Sequence, residues 1–253
     1  MSVKIATGKA HRSDIGEIVK IVVQAVLLAM VVRVFLYQPF NIPTGSMEGT
    51  LLVGDYLFVS KSSYGYSKYS FPFEAIPLGG RLPDRTPKRG DIAVFRKPTD
   101  TSIDYIKRVI GLPGDEIQMR DGVLHINGTA VPKERVDDFL DYDRYGNELK
   151  VPRFRETLPE GKSYLVLDRE SKGPADDTTV YKVPSGRYFM MGDNRDDSAD
   201  SRFLSEVGYV PLENFIGRAD IIFFSADGHV AGLLEVWKWP WAIRWGRFLR
   251  LTR

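Results

Sequence analysis

Two residues of this chain are suited to act as a nucleophile and its base, although they lie far apart in the sequence. Ser46 lies in the segment NIPTGSMEGTL (41–51), and Lys107 lies in DYIKRVIGLPGD (104–115). A serine hydroxyl is a weak nucleophile until a base takes its proton. A lysine can be that base only when it is neutral, so burial must lower its pKa by several units. The apolar and aromatic neighbours of Lys107 are compatible with such burial.

Neither segment is decisive alone, because each has an ordinary structural interpretation. A serine after a glycine is commonly a turn residue or a helix N-cap. A lysine in an apolar run is often a surface residue with a buried stem. The three histidines of the chain are scattered, and no motif around them indicates a serine–histidine–aspartate triad. Thr44 and Ser46 flank Gly45, and this arrangement could direct the Ser46 amide and the Thr44 hydroxyl to one oxyanion.

The composition excludes several other kinds of site. The 253 residues include no cysteine, which excludes disulfides, thiolate metal sites and cysteine nucleophiles. The histidines lack metal-ligand spacing, so we expect neither a metal nor a cofactor. The formal net charge of +2 does not indicate a nucleic-acid partner. With 43% hydrophobic and 27% charged residues, the chain has the composition of a globular protein.

An apolar segment near the N-terminus predicts a membrane anchor. The segment from 15 to 36 is interrupted only by Glu17, Lys20, Gln24 and Arg33, and it is long enough to span a bilayer. A buried core helix and a cleaved signal peptide are the alternatives, but small residues for a cleavage site are missing. Basic residues precede the segment, so the positive-inside rule predicts a cytoplasmic N-terminus and an extracytoplasmic body. We expect Pro39 to end the helix.

The remainder of the chain has the pattern of a mostly β protein. Short β-branched and aromatic runs alternate with turns, and Asp-Gly (121–122) and Asn-Gly (127–128) flank a predicted hairpin strand. The turn-rich stretches 62–88 and 136–155 are predicted to be solvated loops. The predicted strands are 56–59, 91–95, 164–167, 188–191 and 219–224.

The C-terminal segment contains every tryptophan of the chain. Trp237, Trp239, Trp241 and Trp245 alternate with basic residues, which is typical of a membrane–water interface. A C-terminal helix that packs on the body is the alternative.

Four segments in this order, after an anchor, resemble the type I signal peptidases, or bacterial leader peptidases. They are 42–52, RGDIAVF (89–95), 105–115 and GDNRDDSADSR (192–202). The resemblance implies a membrane-anchored serine endopeptidase that removes signal peptides from exported preproteins at the inner membrane. It also implies a mostly β catalytic core with an inserted second β domain. Specialised relatives that process pilin or conjugation proteins, a self-cleaving repressor-type protein and a non-catalytic membrane-anchored β binding protein are the alternatives.

The resemblance also implies a role for individual residues. Ser46 would be the nucleophile, Lys107 the general base, and Thr44 with the Ser46 amide the oxyanion hole. Ser198 would hydrogen-bond Lys107, and Asp200 and Arg202 would form a supporting ion pair. The pockets for small substrate side chains would be lined by Ile42, Met47, Leu51, Tyr105 and Ile106.

One departure from the relatives lies in the serine segment, where Gly49 replaces a common proline and is expected to loosen the turn. The implied division of the chain has six regions. They are a cytoplasmic N-terminus (1–14), the anchor (15–38), the first half of the core (39–117), the inserted domain (118–187), the second half of the core (188–228) and the tryptophan-rich segment (229–253).

Overall fold

An exposed apolar helix precedes the folded body. The computed structural model describes residues 14–71, 80–142, 147–170, 172–228, 230 and 235–252. Helix α1 (Asp14–Val31) continues into a π-helical turn (Val32–Leu36). Within the described residues, Gly16–Leu36 is the one helical segment long and apolar enough to cross a membrane, and none of it is buried. Its 21 residues match the length that a bilayer requires. The predicted cytoplasmic N-terminus, residues 1–14, lies almost entirely outside the described residues.

The prediction that Pro39 ends the helix is wrong. The helix ends at Leu36, and Pro39 lies inside strand β1 (Tyr37–Asn41), opposite Phe58 of the neighbouring strand. β1 is the first strand of its sheet, where a residue without an N–H is tolerated. The residue before a proline also prefers extended backbone, which favours a strand immediately after the membrane segment.

The body is built from short strands, and the prediction of a mostly β fold is confirmed. All five predicted strand segments lie within or overlap observed strands. The described strands after β1 are β2 (Asp55–Ser60), β3 (Ile92–Lys97), β4 (Asp100–Gly111), β5 (Glu116–Arg120), β6 (Val123–Ile126), β7 (Thr129–Ala130), β8 (Lys133–Arg135), β9 (Phe139–Tyr142), β10 (Glu148–Val151), β11 (Arg153–Thr157), β12 (Ser163–Leu167), β13 (Tyr181–Lys182), β14 (Arg187–Met191), β15 (Val210–Pro211), β16 (Phe215–Ser225) and β17 (Arg250–Leu251).

One large antiparallel sheet carries or adjoins the segments that contain the candidate catalytic residues. Its order is β1-β2-β16-β3-β4-β14-β15, and β17 also pairs with β16. β4 pairs with β3 over most of its length but with β14 only from Arg108 to Gly111. The earlier residues of β4, including Lys107, therefore have one edge without a strand partner among the described residues.

Three smaller sheets lie in sequence between β4 and β14. They have the orders β13-β5-β6-β7, β12-β11-β8 and β10-β9. The predicted hairpin is confirmed: β5 pairs with β6 and β6 with β7, and the Asp-Gly and Asn-Gly residues all have positive φ, as type I′ turns require. A hydrophobic cluster joins these strands to the large sheet, because Ile117 and Leu124 pack with Phe189 and Met191.

Both stretches predicted to be solvated loops contain more structure than expected. In 62–88, Tyr64, Ser70 and Arg81 are buried, while 72–79 lies outside the described residues. In 136–155, β9 pairs with β10, and 143–146 lies outside the described residues. Charged residues on exposed strand faces hide the periodic pattern, so this region resembles a loop in sequence.

Candidate active site

Adjacent strands and a short turn bring the two candidate catalytic residues together. Lys107 lies on β4 opposite Ala93 of β3, and Ser46 lies in a single 3₁₀ turn (Gly45–Met47) after β1. Lys107 Nζ is 2.5 Å from Ser46 Oγ, although 61 residues separate them in sequence. A base must lie within hydrogen-bond reach of the proton that it takes, and this pair does.

Lys107 lies in surroundings that favour its neutral form. The residue is only 4% exposed. Burial lowers its pKa to about 8, against the opposing effect of Asp200 and Asp193 and with a small further lowering by Arg202. Removing an ammonium group from water disfavours the charged form, which explains the direction of the change. A substantial fraction of Lys107 is therefore neutral at mildly alkaline pH.

An ion pair stabilises the segment beside Lys107. Asp200 and Arg202 form a buried salt bridge of 2.8 Å. Burial raises the pKa of Asp200, but the Arg202 guanidinium and the N–H groups of Gly192 and Arg202 outweigh burial and lower it. Asp200 therefore remains ionised and positions Gly192 through the hydrogen bond that it accepts from that amide at 3.0 Å.

Ser198 differs from its predicted arrangement. Its hydroxyl is buried and has no hydrogen-bond partner among the described residues, so the expected bond to Lys107 is absent in this conformation. The hydroxyl instead lies against Gly192: a Cβ on that glycine would collide with Ser198 Oγ and would lie 2.5 Å from the Ser46 carbonyl oxygen. Gly192 thus permits a close approach between the serine turn and the 192–202 segment.

The turn that carries Ser46 is held by residues that sequence reasoning did not assign. The backbone N–H of Asn194 donates to the Ser46 carbonyl and its side-chain amide donates to the Gly45 carbonyl, both at 3.2 Å. Thr50 donates to Asp193 at 2.6 Å. These residues lie in the segments that the resemblance singled out, but their partners lie more than 140 positions away.

A buried arginine completes this set of contacts. Arg108, the neighbour of Lys107, makes two hydrogen bonds to Asp193, at 2.8 and 2.6 Å. It also donates to Thr50 and to the Gly90 carbonyl, and its guanidinium lies 4.2 Å from the centre of the Tyr164 ring. Both partners of the ion pair are 1% exposed. Such bidentate pairs fix geometry as well as charge, so β4 and the serine turn are held in one relative position.

A groove of about 560 Å³ runs past Ser46 and Lys107. It is lined by three of the residues that the resemblance implied for the pockets, Ile42, Tyr105 and Ile106, and by Thr44, which the resemblance implied for the oxyanion hole. Thr44 is exposed, and its side chain makes no capping bond to the 3₁₀ turn, so its hydroxyl is available to a ligand. The remaining lining residues were not predicted; they are Phe40, Asn41, Pro43, Val94, Ile103, Asp104, Asp197 and Ala199.

Comparison with known proteins gives one consistent result. The model of the family described as "Signal peptidase, peptidase S26" matches residues 15–224. The chain belongs to this signal peptidase family. Proteins named signal peptidase I from Rickettsia typhi and Rickettsia massiliae are 42% and 40% identical to it over 241 and 266 residues. The alignments cover 89% of both chains for the first, and 98% of this chain and 95% of the relative for the second.

A solved structure is also similar to this member of the signal peptidase family. The crystal structure of a signal peptidase I from Enterococcus faecalis matches with 27% sequence identity and a TM-score of 0.31. The match covers 53% of this chain and 97% of that one. The family membership that the sequence indicated is thus confirmed by the family model and by the relatives.

Two residues predicted to line the pockets of this signal peptidase lie below the groove instead. Met47 and Leu51 are fully buried and pack with Leu57 and Ile92 in the hydrophobic core. They are absent from the residues that line the groove. The 3₁₀ turn directs Ser46 outwards and Met47 inwards, so that adjacent residues have opposite roles. Ile42, also buried, belongs to both the core and the groove.

The expectation that Gly49 loosens the signal peptidase serine segment is wrong. Gly49 has a φ of +113°, and a Cβ there would lie 2.9 Å from the Leu165 carbonyl oxygen. Hydrogen bonds from the Thr50 and Leu51 amides to the Met47 carbonyl, of 3.1 and 2.9 Å, close the turn. Glycine is therefore required by this backbone rather than tolerated.

A second titratable group of this signal peptidase lies beside the serine turn. Burial, together with the nearby carboxylates of Asp141 and Asp197, raises the pKa of Glu48 to about 7. A Cβ on Gly45 would lie 2.9 Å from the Glu48 carboxyl group, so Glu48 is folded back over the turn. Sequence reasoning gave no signal for this arrangement.

Another acidic cluster lies away from the groove. Carboxylate oxygen atoms of Asp168, Asp176 and Asp196 lie within 4.8 Å of one another. These carboxylates already have protein donors: Lys133 pairs with Asp168, the Gly173 amide with Asp176, and two backbone amides with Asp196. The cluster therefore has a structural explanation within the protein.

Proposed function

We propose that the chain removes signal peptides from exported preproteins, with Ser46 as the nucleophile and neutral Lys107 as the general base. Membership of the signal peptidase family and the names of its relatives support the activity. The observation that carries the mechanism is the 2.5 Å approach of a buried lysine to a serine hydroxyl. Lys107 takes the Ser46 proton as Ser46 attacks the scissile carbonyl, and then gives a proton to the leaving amine.

The test is cleavage of a preprotein in detergent by the wild-type enzyme, Ser46→Ala and Lys107→Met. Methionine retains much of the lysine stem without the amine, so packing at position 107 is largely preserved. Both variants should lose turnover to a similar degree, because the two residues act as a unit. Robust cleavage by Lys107→Met would exclude the proposed base.

We assign the oxyanion site to the Ser46 amide and the Thr44 hydroxyl. Thr44 lines the groove next to Ser46 and its side chain makes no capping bond. Preorganised donors that face the developing oxyanion act mainly in the transition state. Ser198 would complete the site by bonding to Lys107 after rotation of its side chain, because its buried hydroxyl has no partner in this conformation among the described residues. Asp200 and Arg202 would support it through Gly192.

The substrate would bind as an extended strand in the groove. β1 is the outermost strand of the sheet, and the stretch of β4 before Arg108 has one free edge among the described residues. An extended peptide between these edges would find backbone donors and acceptors on both sides. Ile42, Tyr105 and Ile106, supported by Met47 and Leu51 below, would favour small apolar side chains near the scissile bond.

The enzyme is anchored in the membrane, as its N-terminal apolar helix and its relatives indicate. We propose that this membrane is the inner membrane and that the N-terminus is cytoplasmic, because basic residues precede the helix. We also propose that the C-terminal segment contacts the bilayer interface. Its four tryptophans are between 45% and 75% exposed, although β17 attaches the segment to β16 and Arg247 forms an ion pair with Asp55.

The proposed division into a catalytic core and an inserted domain, 118–187, is supported by the sheet order. Among the described residues, the strands from β5 to β13 pair with one another and with no strand of the large sheet, although Leu167 of β12 forms an isolated bridge with Asn194. β4 and β14 pair directly in the large sheet. Their shared hydrophobic cluster and the buried ion pair of Glu156 with Arg195 connect the inserted domain to the catalytic segments. No cofactor enters the proposed mechanism.

A further inference from the structure

We infer that Lys61 and Tyr66 are positioning residues that attach the exit of the membrane helix to the catalytic body. They would keep the helix and Ser46 in one relative orientation, so that the groove meets a preprotein held in the same membrane. The inference rests on the proposed function. It concerns a contact outside the groove, because Lys61 and Tyr66 are not among the residues that line it.

The last turn of the helix has backbone carbonyls that need donors from elsewhere. A helix leaves its final carbonyl groups without intrahelical partners, and little water is available to them at a membrane boundary. Tyr66 donates its hydroxyl to the Phe35 carbonyl at 2.5 Å. Lys61 Nζ lies 3.4 Å from the Val34 carbonyl and donates to the Ser70 carbonyl at 2.6 Å. The segment after β2 thus supplies the donors that the helix end lacks.

Aromatic packing reinforces these hydrogen bonds. The Phe35 ring meets the rings of Tyr66 and Phe71 edge to face, with centroids 6.5 and 6.1 Å apart. The Tyr66 and Phe71 rings are themselves 5.9 Å apart. Edge-to-face pairs at these distances are favourable beyond the area that they bury. Phe35 therefore contributes both its carbonyl and its ring to the contact.

The burial of Lys61 is difficult to explain by packing alone. The residue is 2% exposed, and it has no carboxylate partner among the described residues. Burial and, to a smaller extent, the charge of Arg33 lower its pKa to about 8. A buried charge without an opposite charge is costly, and an apolar side chain would fill the same space at lower cost. Lys61 connects one carbonyl group of the helix with one of the body, and this connection explains why a buried lysine is present here.

The contact restrains a short connection between the membrane and the nucleophile. Leu36 ends the helix, β1 follows at once, and Ser46 lies ten positions after Leu36. β1 pairs with β2, and Lys61 comes directly after β2. The helix end is thus attached twice, by the chain through β1 and by side chains of the segment after β2. Restricting the orientation of Ser46 relative to the helix favours reaction with a substrate that is held in the same membrane.

The experiment compares two substrates with the full-length enzyme in proteoliposomes. One is a preprotein inserted in the same vesicles, and the other is a short soluble peptide that spans the cleavage site. The variants are Tyr66→Phe, which retains the ring, Lys61→Met, which retains the stem, and the double variant. Arg85→Gln is the matched control, since Arg85 donates at 3.2 Å to the Ser62 carbonyl of the same segment and makes no hydrogen bond to the helix among the described residues.

We expect the double variant to lose roughly tenfold in kcat/KM for the inserted preprotein, and each single variant to lose less. Cleavage of the soluble peptide should stay within about twofold of wild type, and Arg85→Gln should change neither substrate by more than that. Equal losses on both substrates, even in Tyr66→Phe, would show a general structural role and overturn the inference. Unchanged cleavage of both substrates would also overturn it. Full activity of Ser46→Ala in the same vesicles would instead contradict the proposed function.

Discussion

In the proposed mechanism, the chemical roles of Lys107 and Thr44 carry a cost in stability. Burial suits the proposed base because it lowers the pKa of the lysine, and the same burial disfavours the folded state whenever the lysine is charged. The exposed threonine leaves its hydroxyl without a capping bond, although the adjacent 3₁₀ turn could accept a cap. Both features are expected where binding a transition state has priority over stability.

Substitution of Thr44 tests the oxyanion assignment. Thr44→Ser should retain most activity because the hydroxyl remains, whereas Thr44→Ala and Thr44→Val should lose it, chiefly in kcat. Removal of one oxyanion donor typically lowers kcat on the order of 10²–10³-fold. Valine is the matched control for shape, since it keeps the branched side chain without the donor. Wild-type kcat in Thr44→Val would mean that backbone amides alone hold the oxyanion.

The cost of Lys107 can be measured through the pH dependence of unfolding. Its pKa is about 8 in the folded enzyme and close to 10.5 when unfolded. Between these values the unfolded chain binds more protons, so the stability contribution of this group rises with pH and is smallest below pH 8. The advantage of Lys107→Met over wild type should therefore be largest below pH 8 and shrink by on the order of 3 kcal/mol towards pH 10.5. Chemical denaturation across this range provides the measurement, and a constant difference would contradict the assigned pKa.

At the scale of elements, the site depends on how two strands and one turn meet. β4 presents Lys107, β1 leads to the serine turn, and contacts from Asn194, Asp193 and Arg108 hold the turn against β4. The turn also has one backbone position that only glycine adopts readily, at Gly49.

Gly49→Pro tests that requirement, because the family resemblance implies a proline at this position in many relatives. Proline restricts φ to about −65°, far from the +113° observed at Gly49. We expect a loss of about 2 kcal/mol or more in stability and a fall in kcat as Ser46 moves relative to Lys107. Gly49→Ala should destabilise less than proline. Thermal unfolding and turnover measure the two effects, and a proline variant as stable and active as wild type would refute the assignment.

The sequence allowed the chemical residues to be predicted better than the contacts that hold them. The segments of Ser46, Lys107 and Thr44 carry a recognisable sequence pattern, and the three residues lie in one groove of the structure. The main strands could be predicted from runs of β-branched and aromatic residues between turns. The full burial of Met47 and Leu51 was not predicted, because composition does not indicate which residues of a short turn face the core. The partnership of Asn194 with Gly45, and of Lys61 with Val34, depends on long-range topology that a single sequence does not encode locally.

At the scale of the whole molecule, the apolar helix and several exposed aromatic residues suit a position at a membrane. The helix continues directly into β1, and further aromatic rings stack in pairs: Phe58 on Phe223 of a neighbouring strand, and Trp245 on Phe248 within the C-terminal segment. Aromatic surface of this kind suits the bilayer interface. The body would then lie close to the membrane, on the side where Ser46 meets the substrate.

Topology follows from the basic residues that precede the helix. With the N-terminus in the cytoplasm, protease added to spheroplasts should degrade the body and spare an N-terminal tag. Intact cells are the matched control, since their outer barrier should keep the protease away from both the body and the tag. Protection of the body in spheroplasts would reverse the proposed orientation.

The rate–pH profile of preprotein cleavage tests the central claim, a neutral Lys107 that activates Ser46. As the pH falls through about 8, Lys107 becomes protonated, so kcat/KM should fall about tenfold per pH unit and level off above that value. Glu48→Gln, which removes the neighbouring group with a pKa of about 7, and the paired variant His125→Ala with His229→Ala should retain this acidic limb. The predicted result is an acidic limb of kcat/KM with a midpoint near pH 8 in the wild-type enzyme and in both variants. Its disappearance in either variant, or a midpoint near the ordinary lysine value, would contradict the account.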